Sequence, residues 1–335
     1  MKTKYLLFLF IISIILISCQ TSKPQAGSKD YKSKPEWVVS KPQSSQYYIG
    51  ISSVSKKVYD GDNSKMKKSA QEQALADLAL QISVNIESSS FLSVVETNKS
   101  IEENYTKEMK ASTNEALEGY ELVDTYEDKY EYYVYYRLSK STYQTQKAAK
   151  KQKAIETAKT KLQEAQKLIE KKLYVNAFQF YCDALTSIKP YLGETTMTEI
   201  NGEQRELGNF IYSRITAFLN NIKLEFPKNE VKIIDENNFN KNDFVIIAKY
   251  KEEFIITNLP IKLTFNGIGL MRDNEISDSE GKIYCSFSKI KIFSSSEILS
   301  AAVDVINLSK AAKDPIIRDI IKTIPATETK IRITN

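Results

Sequence analysis

Tyr130-Glu131-Tyr132-Tyr133-Val134-Tyr135-Tyr136-Arg137-Leu138 lies in the densest aromatic stretch of the chain. Its alternation places Tyr130, Tyr132, Val134, Tyr136 and Leu138 on one face of a predicted strand, because successive strand side chains point to opposite sides. Such a face needs a cover, and residues 64–82 supply one. There Ala70, Ala74, Leu75, Leu78, Ala79 and Ile82 recur at three- and four-residue spacing, with Lys67, Lys68, Gln71, Glu72 and Asp77 opposite, the pattern of a helix laid on a sheet. Ahead of the helix, Pro35-Glu36-Trp37-Val38-Val39 and Tyr47-Tyr48-Ile49-Gly50-Ile51-Ser52 read as a β-rich run. Between helix and closing strand, residues 84–95 read as a strand blurred by Ser88-Ser89-Ser90, and residues 100–118 as polar helix. Residues 35–142 thus form an expected α/β sandwich-like domain.

Outward from this unit, residues 144–172 carry a narrow helical stripe of Ala154, Ala158, Leu162, Ala165, Leu168 and Ile169. A second helix follows, with Tyr174, Ala177, Tyr181, Ala184 and Pro190 spaced as in the second half of a tetratricopeptide hairpin. One such unit cannot stack on itself, so a hairpin packed on its neighbours is expected. A further helix is predicted over residues 203–224, completing a helical connector at 143–226. Beyond Pro227 short β-prone runs separated by turn signals define a β-rich domain at 227–335. Within it, residues 260–265 and 282–285, with Gly281 in the preceding turn, resemble two neighbouring antiparallel strands at one edge of an immunoglobulin- or transthyretin-like β-sandwich. Residues 297–308 fit strand and helix alike. Asp314-Pro315 reads as an N-cap and first-turn proline, followed by a face of Ile316, Ile317, Ile320, Ile321 and Ile324, and residues 330–334 read as a strand returning to the sheet. The expected class is α+β, multidomain.

The first eighteen residues have a different character. Lys2 and Lys4 precede an apolar stretch from Tyr5 to Ile17 broken only by Ser13, the layout of a secretory signal. At about 13 residues the stretch is shorter than the roughly 20 needed to span hydrocarbon. It ends at Leu16-Ile17-Ser18-Cys19, which resembles the bacterial lipobox. That resemblance implies a diacylglycerol on the Cys19 thiol, cleavage before it, and a mature chain beginning there. Gln20 follows, and no acidic cluster comes after it, a combination that favours an outer-membrane anchor facing the periplasm. Residues 19–34, rich in Ser, Lys, Pro, Gln and Gly, are expected to be a flexible tether.

Pro35-Glu36-Trp37-Val38, Tyr47-Tyr48-Ile49-Gly50-Ile51, the alanine-rich helix running into Val84-Asn85-Ile86-Glu87-Ser88 and the tyrosine-rich closing strand, in that order beside the lipobox, resemble the LPP-twenty-like lipoproteins over residues 35–140. Members of that group are envelope lipoproteins, and related domains occur in flagellar-assembly and cell-wall-synthase accessory proteins. The resemblance implies no catalytic residue. The polar segment between Glu96 and Glu118 departs from the family's compact form.

Composition narrows the chemistry. Without residues 1–18 the chain has 45 Lys and Arg against 42 Asp and Glu, a charge of +3, too balanced for the basic footprint of a nucleic-acid binder. It has no histidine, which removes the usual general base, zinc ligand and Ser-His-Asp arrangement together. Cys182 and Cys285 read as two buried hydrophobes in preference to a disulfide, which an oxidising envelope permits. No acid pair sits where burial would tune it for acid–base work, Asp278 and Glu280 fall in a turn, and Asp60-Gly61-Asp62-Asn63 reads as a plain turn rather than a cation loop. The basic run Lys147 to Lys153 reads as a solvated helix face rather than a site for anionic lipid or polymer. What remains is Tyr133, Tyr135 and Arg137, on the strand face opposite the buried one: a candidate surface for glycan or peptide, or half of an ordinary strand. The expectation is a protein without enzymatic activity, cofactor or metal. It is held to the membrane through Cys19 and acts as a scaffold or accessory subunit for an envelope protein, or alternatively as a peptidoglycan-binding or synthase-regulating module.

Overall fold

A computed structural model describes residues 33–82, 90–94, 99–115 and 117–335. The signal segment, Cys19 and nearly all of the tether lie outside these residues, as does most of the strand expected at 84–95. The part of that segment that is described, Phe91–Val94, is a helical turn.

The tyrosine-rich strand, Glu131–Ser139, is the centre of a three-stranded antiparallel sheet between Tyr47–Ser55 and Glu121–Glu127. Tyr132, Val134, Tyr136 and Leu138 are buried on its inner face. Tyr130 is not, because it sits in the turn before the strand and is 60% exposed. The covering helix is Asn63–Gln81, started by the Asp62 carboxylate, which accepts from the Lys65 amide and satisfies one of the free donors of a helix start. Met66, Ala70, Ala74 and Leu78 face the sheet. The helix also closes the free edge of Tyr47–Ser55: the Ile51 amide donates to Asp77 Oδ2 (3.1 Å), the Ile49 amide donates to Gln81 Oε1 (3.2 Å), and Gln81 Nε2 donates back to the Ile49 carbonyl. Two side chains one helical turn apart stand in for a fourth strand.

Most of the remaining buried side chains gather around a second, larger core that draws on both of the segments expected as separate bodies at 143–226 and 227–335. Helices Lys140–Glu170 and Tyr174–Ser187 form the expected hairpin, and the rings of Tyr174, Tyr250, Phe218 and Phe178 follow one another in that order at separations of 4.5 to 5.8 Å. Phe91, Leu92, Ile101, Tyr105 and Met109 join this larger core too. A single helical hairpin cannot bury its own apolar stripe, so it borrows the β-rich segment and the Lys99–Glu115 helix to do so.

The helix expected over 203–224 is shorter. Met197–Ile200 and Glu203–Glu206 form a hairpin, the helix occupies Leu207–Asn220, and Ile222–Glu225 is a strand. Asn201 (φ 54°) and Gly202 (φ 82°) make the tight connection, a pairing that fits the positive-φ turn favoured between antiparallel strands.

In the C-terminal part a five-stranded sheet runs Asn274–Ile276, Pro260–Phe265, Ser296–Val303, Glu328–Thr334, Glu230–Lys232, the last pair parallel and the others antiparallel. Lys282–Tyr284 does not neighbour Pro260–Phe265, as the resemblance to a sandwich edge had suggested. It pairs with Val245–Tyr250 in a second sheet that includes Ile222–Glu225. Gly281 (φ 72°) does sit in a turn, but Asp278 closes that turn by accepting from the Glu280 and Lys282 amides. Residues 297–308 divide: the strand ends at Val303, and Asp304 caps the short helix Val305–Leu308. Asp314 Oδ1 accepts from the Ile316 (2.9 Å) and Ile317 (3.2 Å) amides, and the isoleucine face of Pro315–Lys322 is buried. Mixed helix and sheet, in an α+β arrangement, is the observed class.

One buried cation ties three elements together. The Lys189 ammonium contacts the carboxylates of Glu108, on the Lys99–Glu115 helix, and Asp314. Burial alone would lower its pKa, but hydrogen bonds to Asp314 and Glu108 outweigh this and raise it, so the group stays charged. Lys189→Met leaves Asp314 half-satisfied in a closed site. With Glu108 half exposed, the expected loss of stability is about 3 kcal/mol, the low end for a broken buried pair. Urea unfolding with an unchanged slope measures it, and a loss below roughly 0.5 kcal/mol, the size of an ordinary surface change, overturns it.

Candidate binding face

Alternation along Glu131–Ser139 puts Tyr133, Tyr135 and Arg137 together on the outer face, each half-buried. The strand register sets Ser53, Ile51 and Ile49 beside them on one flank and Tyr126, Asp124 and Glu121 on the other. The three candidates therefore share one surface. That surface is not open.

The segment leading into the fold lies across it. Expected as β-rich, residues 36–39 are instead a one-turn helix, Glu36–Val39, preceded by Pro35. The Trp37 ring sits 5.6 Å from Tyr135 at 43°, and its Nε1 donates to Asp124 Oδ2 at 2.9 Å. Just before it, Lys34 Nζ pairs with Asp128 (3.1 Å) and stands 5.5 Å from the centre of the Tyr133 ring. The Tyr133 hydroxyl donates to Glu131, and its ring lies 5.9 Å from Tyr126. Arg137 donates to Glu121 Oε2 through Nε (3.0 Å) and Nη2 (2.9 Å), with its guanidinium 4.6 Å over Tyr47. Lys34, Trp37, Tyr47, Glu121 and Asp124 are thus part of this surface although no local pattern marks them. The one available signal was Trp37 itself, the single tryptophan of the chain, since a ring of that size buries against something.

The electrostatics of the face are those of satisfied pairs. The hydrogen bond to Glu131, followed by burial, raises the pKa of Tyr133, the hydrogen bond to Glu121 raises that of Arg137, and backbone donation from Tyr130, joined by Glu131 and Lys34, lowers that of Asp128. Each of these shifts moves the titration further from pH 7, leaving Tyr133 protonated and uncharged, Arg137 positive and Asp128 negative. The face is an aromatic surface partly covered by Trp37 and Lys34, with its charged groups paired within the chain.

The other sequence candidates are structural. Lys147 and Lys151 converge on Glu194 (2.6 and 3.0 Å), and Lys150 pairs with Glu118 (3.2 Å), so three of the four lysines of the basic run are engaged within the chain. Asp60 (φ 46°) and Gly61 (φ 86°) form a turn whose following Asp62 is spent on the helix start and on Lys65. Among the described residues, no three or more acidic or thiol side chains gather as a metal would need, and no helix is long and apolar enough to cross a membrane.

Cys182 and Cys285 are free, separate and buried in the larger core. Desolvation pushes both thiols up, Cys285 to about 12 with the Glu275 charge adding to the effect. Because the thiolate is the reactive form, neither is expected to react with maleimide at pH 8 in the folded protein, and both react in denaturant. Labelling counted by intact mass checks this, and modification of either thiol in the native state overturns it.

Comparison of the chain with protein-family models, with curated proteins and with solved structures returned no match.

Proposed function

We propose that this chain is the precursor of an LPP-twenty-like envelope lipoprotein, anchored through acylated Cys19 in the outer membrane, facing the periplasm, and working without catalysis as a scaffold or accessory subunit for another envelope protein. In this reading an α/β sandwich-like domain stands next to the anchor, followed by the helical connector and a C-terminal β-sandwich of immunoglobulin- or transthyretin-like type. The observation that carries it is Leu16-Ile17-Ser18-Cys19 at the end of a short apolar stretch. The arrangement of the face is consistent with it, since Tyr133 is bonded to Glu131, Arg137 to Glu121, and the Tyr135 ring packs against Trp37.

A second reading, peptidoglycan binding or regulation of a cell-wall synthase, has the clustered aromatic face in its favour and Trp37 across Tyr135 against it. Cross-linking in native envelopes followed by detergent extraction and mass spectrometry separates the two. One stoichiometric protein partner is the expected result. Recovery with peptidoglycan alone, lost on changing Tyr133 and Tyr135 to alanine, supports the second reading, and cleavage of envelope polymers by the purified protein overturns both.

A further inference from the structure

The end of the small sheet where the tether enters the fold carries two exposed apolar side chains. The Lys56–Tyr59 turn and the 128–130 turn are joined there: the Lys56 amide donates to the Tyr130 carbonyl (2.9 Å), and Lys56 Nζ donates to the Asp128 carbonyl (2.6 Å). On this joined surface Val58 is 74% exposed and Tyr130 60% exposed. Single exposed apolar side chains are ordinary on a protein surface, so what distinguishes these two is their place beside the point where the chain enters the fold.

We propose that this end of the sheet rests in the interfacial region of the bilayer that holds Cys19, with Val58 and Tyr130 inserted among the lipid headgroups. The proposal rests on the anchor reading above. Its geometric support is the path of the chain. Lys34 is fixed at this end by its ion pair with Asp128. From there the chain runs away along the outer face, past Tyr135 at Trp37, to the opposite end, where the Lys140 amide donates to the Gln46 carbonyl. The segment between Cys19 and Lys34 therefore leaves from the Val58–Tyr130 end. The fifteen residue steps from Cys19 to Lys34 reach about 50 Å fully stretched and roughly 20 Å as a flexible coil, so this end is the part of the folded body held nearest the lipid.

The side chains suit a headgroup layer. Tyrosine has an apolar ring and a polar tip, the combination enriched where membrane meets water. The local charges balance in number: Lys34 pairs with Asp128 and Lys56 with Glu127, and Lys57 and Lys129, the latter 5.4 Å over the Tyr130 ring, are matched in the sequence by Asp60 and Glu131. The contact is thus interfacial rather than electrostatic, and neutral phosphatidylcholine is expected to serve as well as anionic lipid.

The test couples the Cys19 thiol of the mature chain to a maleimide lipid in phosphatidylcholine vesicles, which supplies the anchor whether or not cells acylate it. The buried thiols of Cys182 and Cys285 do not compete. Tyr130→Trp is compared with Ile306→Trp, an exposed apolar position on the larger body, each against the Trp37 baseline of the unsubstituted chain. Brominated acyl chains are expected to remove roughly half of the added emission at position 130, as for a side chain held within 5–10 Å of the acyl boundary, and little at 306. Adding Val58→Asp to Tyr130→Trp is expected to abolish the quenching. Equal quenching at the two positions overturns the proposal, as does an emission change at 130 that follows protein density on the vesicle instead of bromination, the sign of contact between copies. Absence of fatty-acid labelling in cells sinks the anchor reading and the proposal that rests on it, whereas labelling in cells without quenching at 130 sinks the proposal alone.

Discussion

Replacing Cys19 by alanine is expected to abolish fatty-acid labelling and to leave the precursor uncut. In the proposed pathway the thiol is the acceptor, and cleavage before it follows acylation, so one substitution stops both steps. No other thiol can take over, because Cys182 and Cys285 are enclosed in the larger core. The energetic consequence is large: each buried acyl CH₂ contributes about 0.8 kcal/mol, and two or three chains on one residue make a lasting anchor where a single chain gives reversible binding. The uncut apolar stretch, about 13 residues, is too short to replace them as a spanning helix. Metabolic labelling with a tagged fatty acid, read beside the gel mobility of the chain, checks the result. Labelling that persists in the alanine variant overturns the lipoprotein reading.

Gly50→Val is expected to cost about 3 kcal/mol or more, at or beyond the upper range for overpacking a well-filled core. Gly50 is where the Asn63–Gln81 helix comes closest to the sheet: a Cβ added there would stand 2.1 Å from the Ala74 carbonyl oxygen and 2.9 Å from Leu78 Cβ. The first obstacle is backbone, which cannot rotate out of the way, so the helix must lift. Lifting exposes Ala70, Ala74 and Leu78 and pulls Asp77 and Gln81 off the strand edge at Ile49 and Ile51. Even Gly50→Ala meets the same obstacle, because its Cβ occupies the same point. Trp37, packed against Tyr135 of this sheet, gives a local fluorescence reading in urea, while far-ultraviolet dichroism follows the whole chain. Loss of the small sheet ahead of the larger core is expected in the variant, and an unchanged Trp37 midpoint overturns the argument.

The same glycine shows how far the sequence could be read. Tyr47-Tyr48-Ile49-Gly50-Ile51 is recognisably a strand, yet the reason for a glycine inside it becomes visible only when the helix is placed. The alternation at residues 132–138 and the alanine spacing at residues 70–82 were legible because each is a local period, set by strand pleat and helix pitch. Asp314-Pro315 was legible as a cap for the same reason. Asn201-Gly202 carried an equally local turn signal that apolar spacing through residues 207–222 masked, and a hairpin stands where the first turn of a helix was expected.

At the candidate face, Tyr133, Tyr135 and Arg137 were correctly grouped, since side chains two apart on a strand share a side. That Trp37 and Lys34 cover part of that side could not be read, because they lie about a hundred residues away in sequence and meet it only through the folded path.

The chain's own order of residues determined the strand and helix periods, the caps, the absence of histidine chemistry and the lipobox-like segment around Cys19, all properties of neighbours in sequence. Tertiary structure alone decided three things. It pairs Lys282–Tyr284 with Val245–Tyr250 instead of Pro260–Phe265, it draws the helical connector and the β-rich segment into one core, and it lays the entering segment across the aromatic face. Each of these is a choice among surfaces of similar apolar character, made by shape and register over long separations, which local periodicity does not encode.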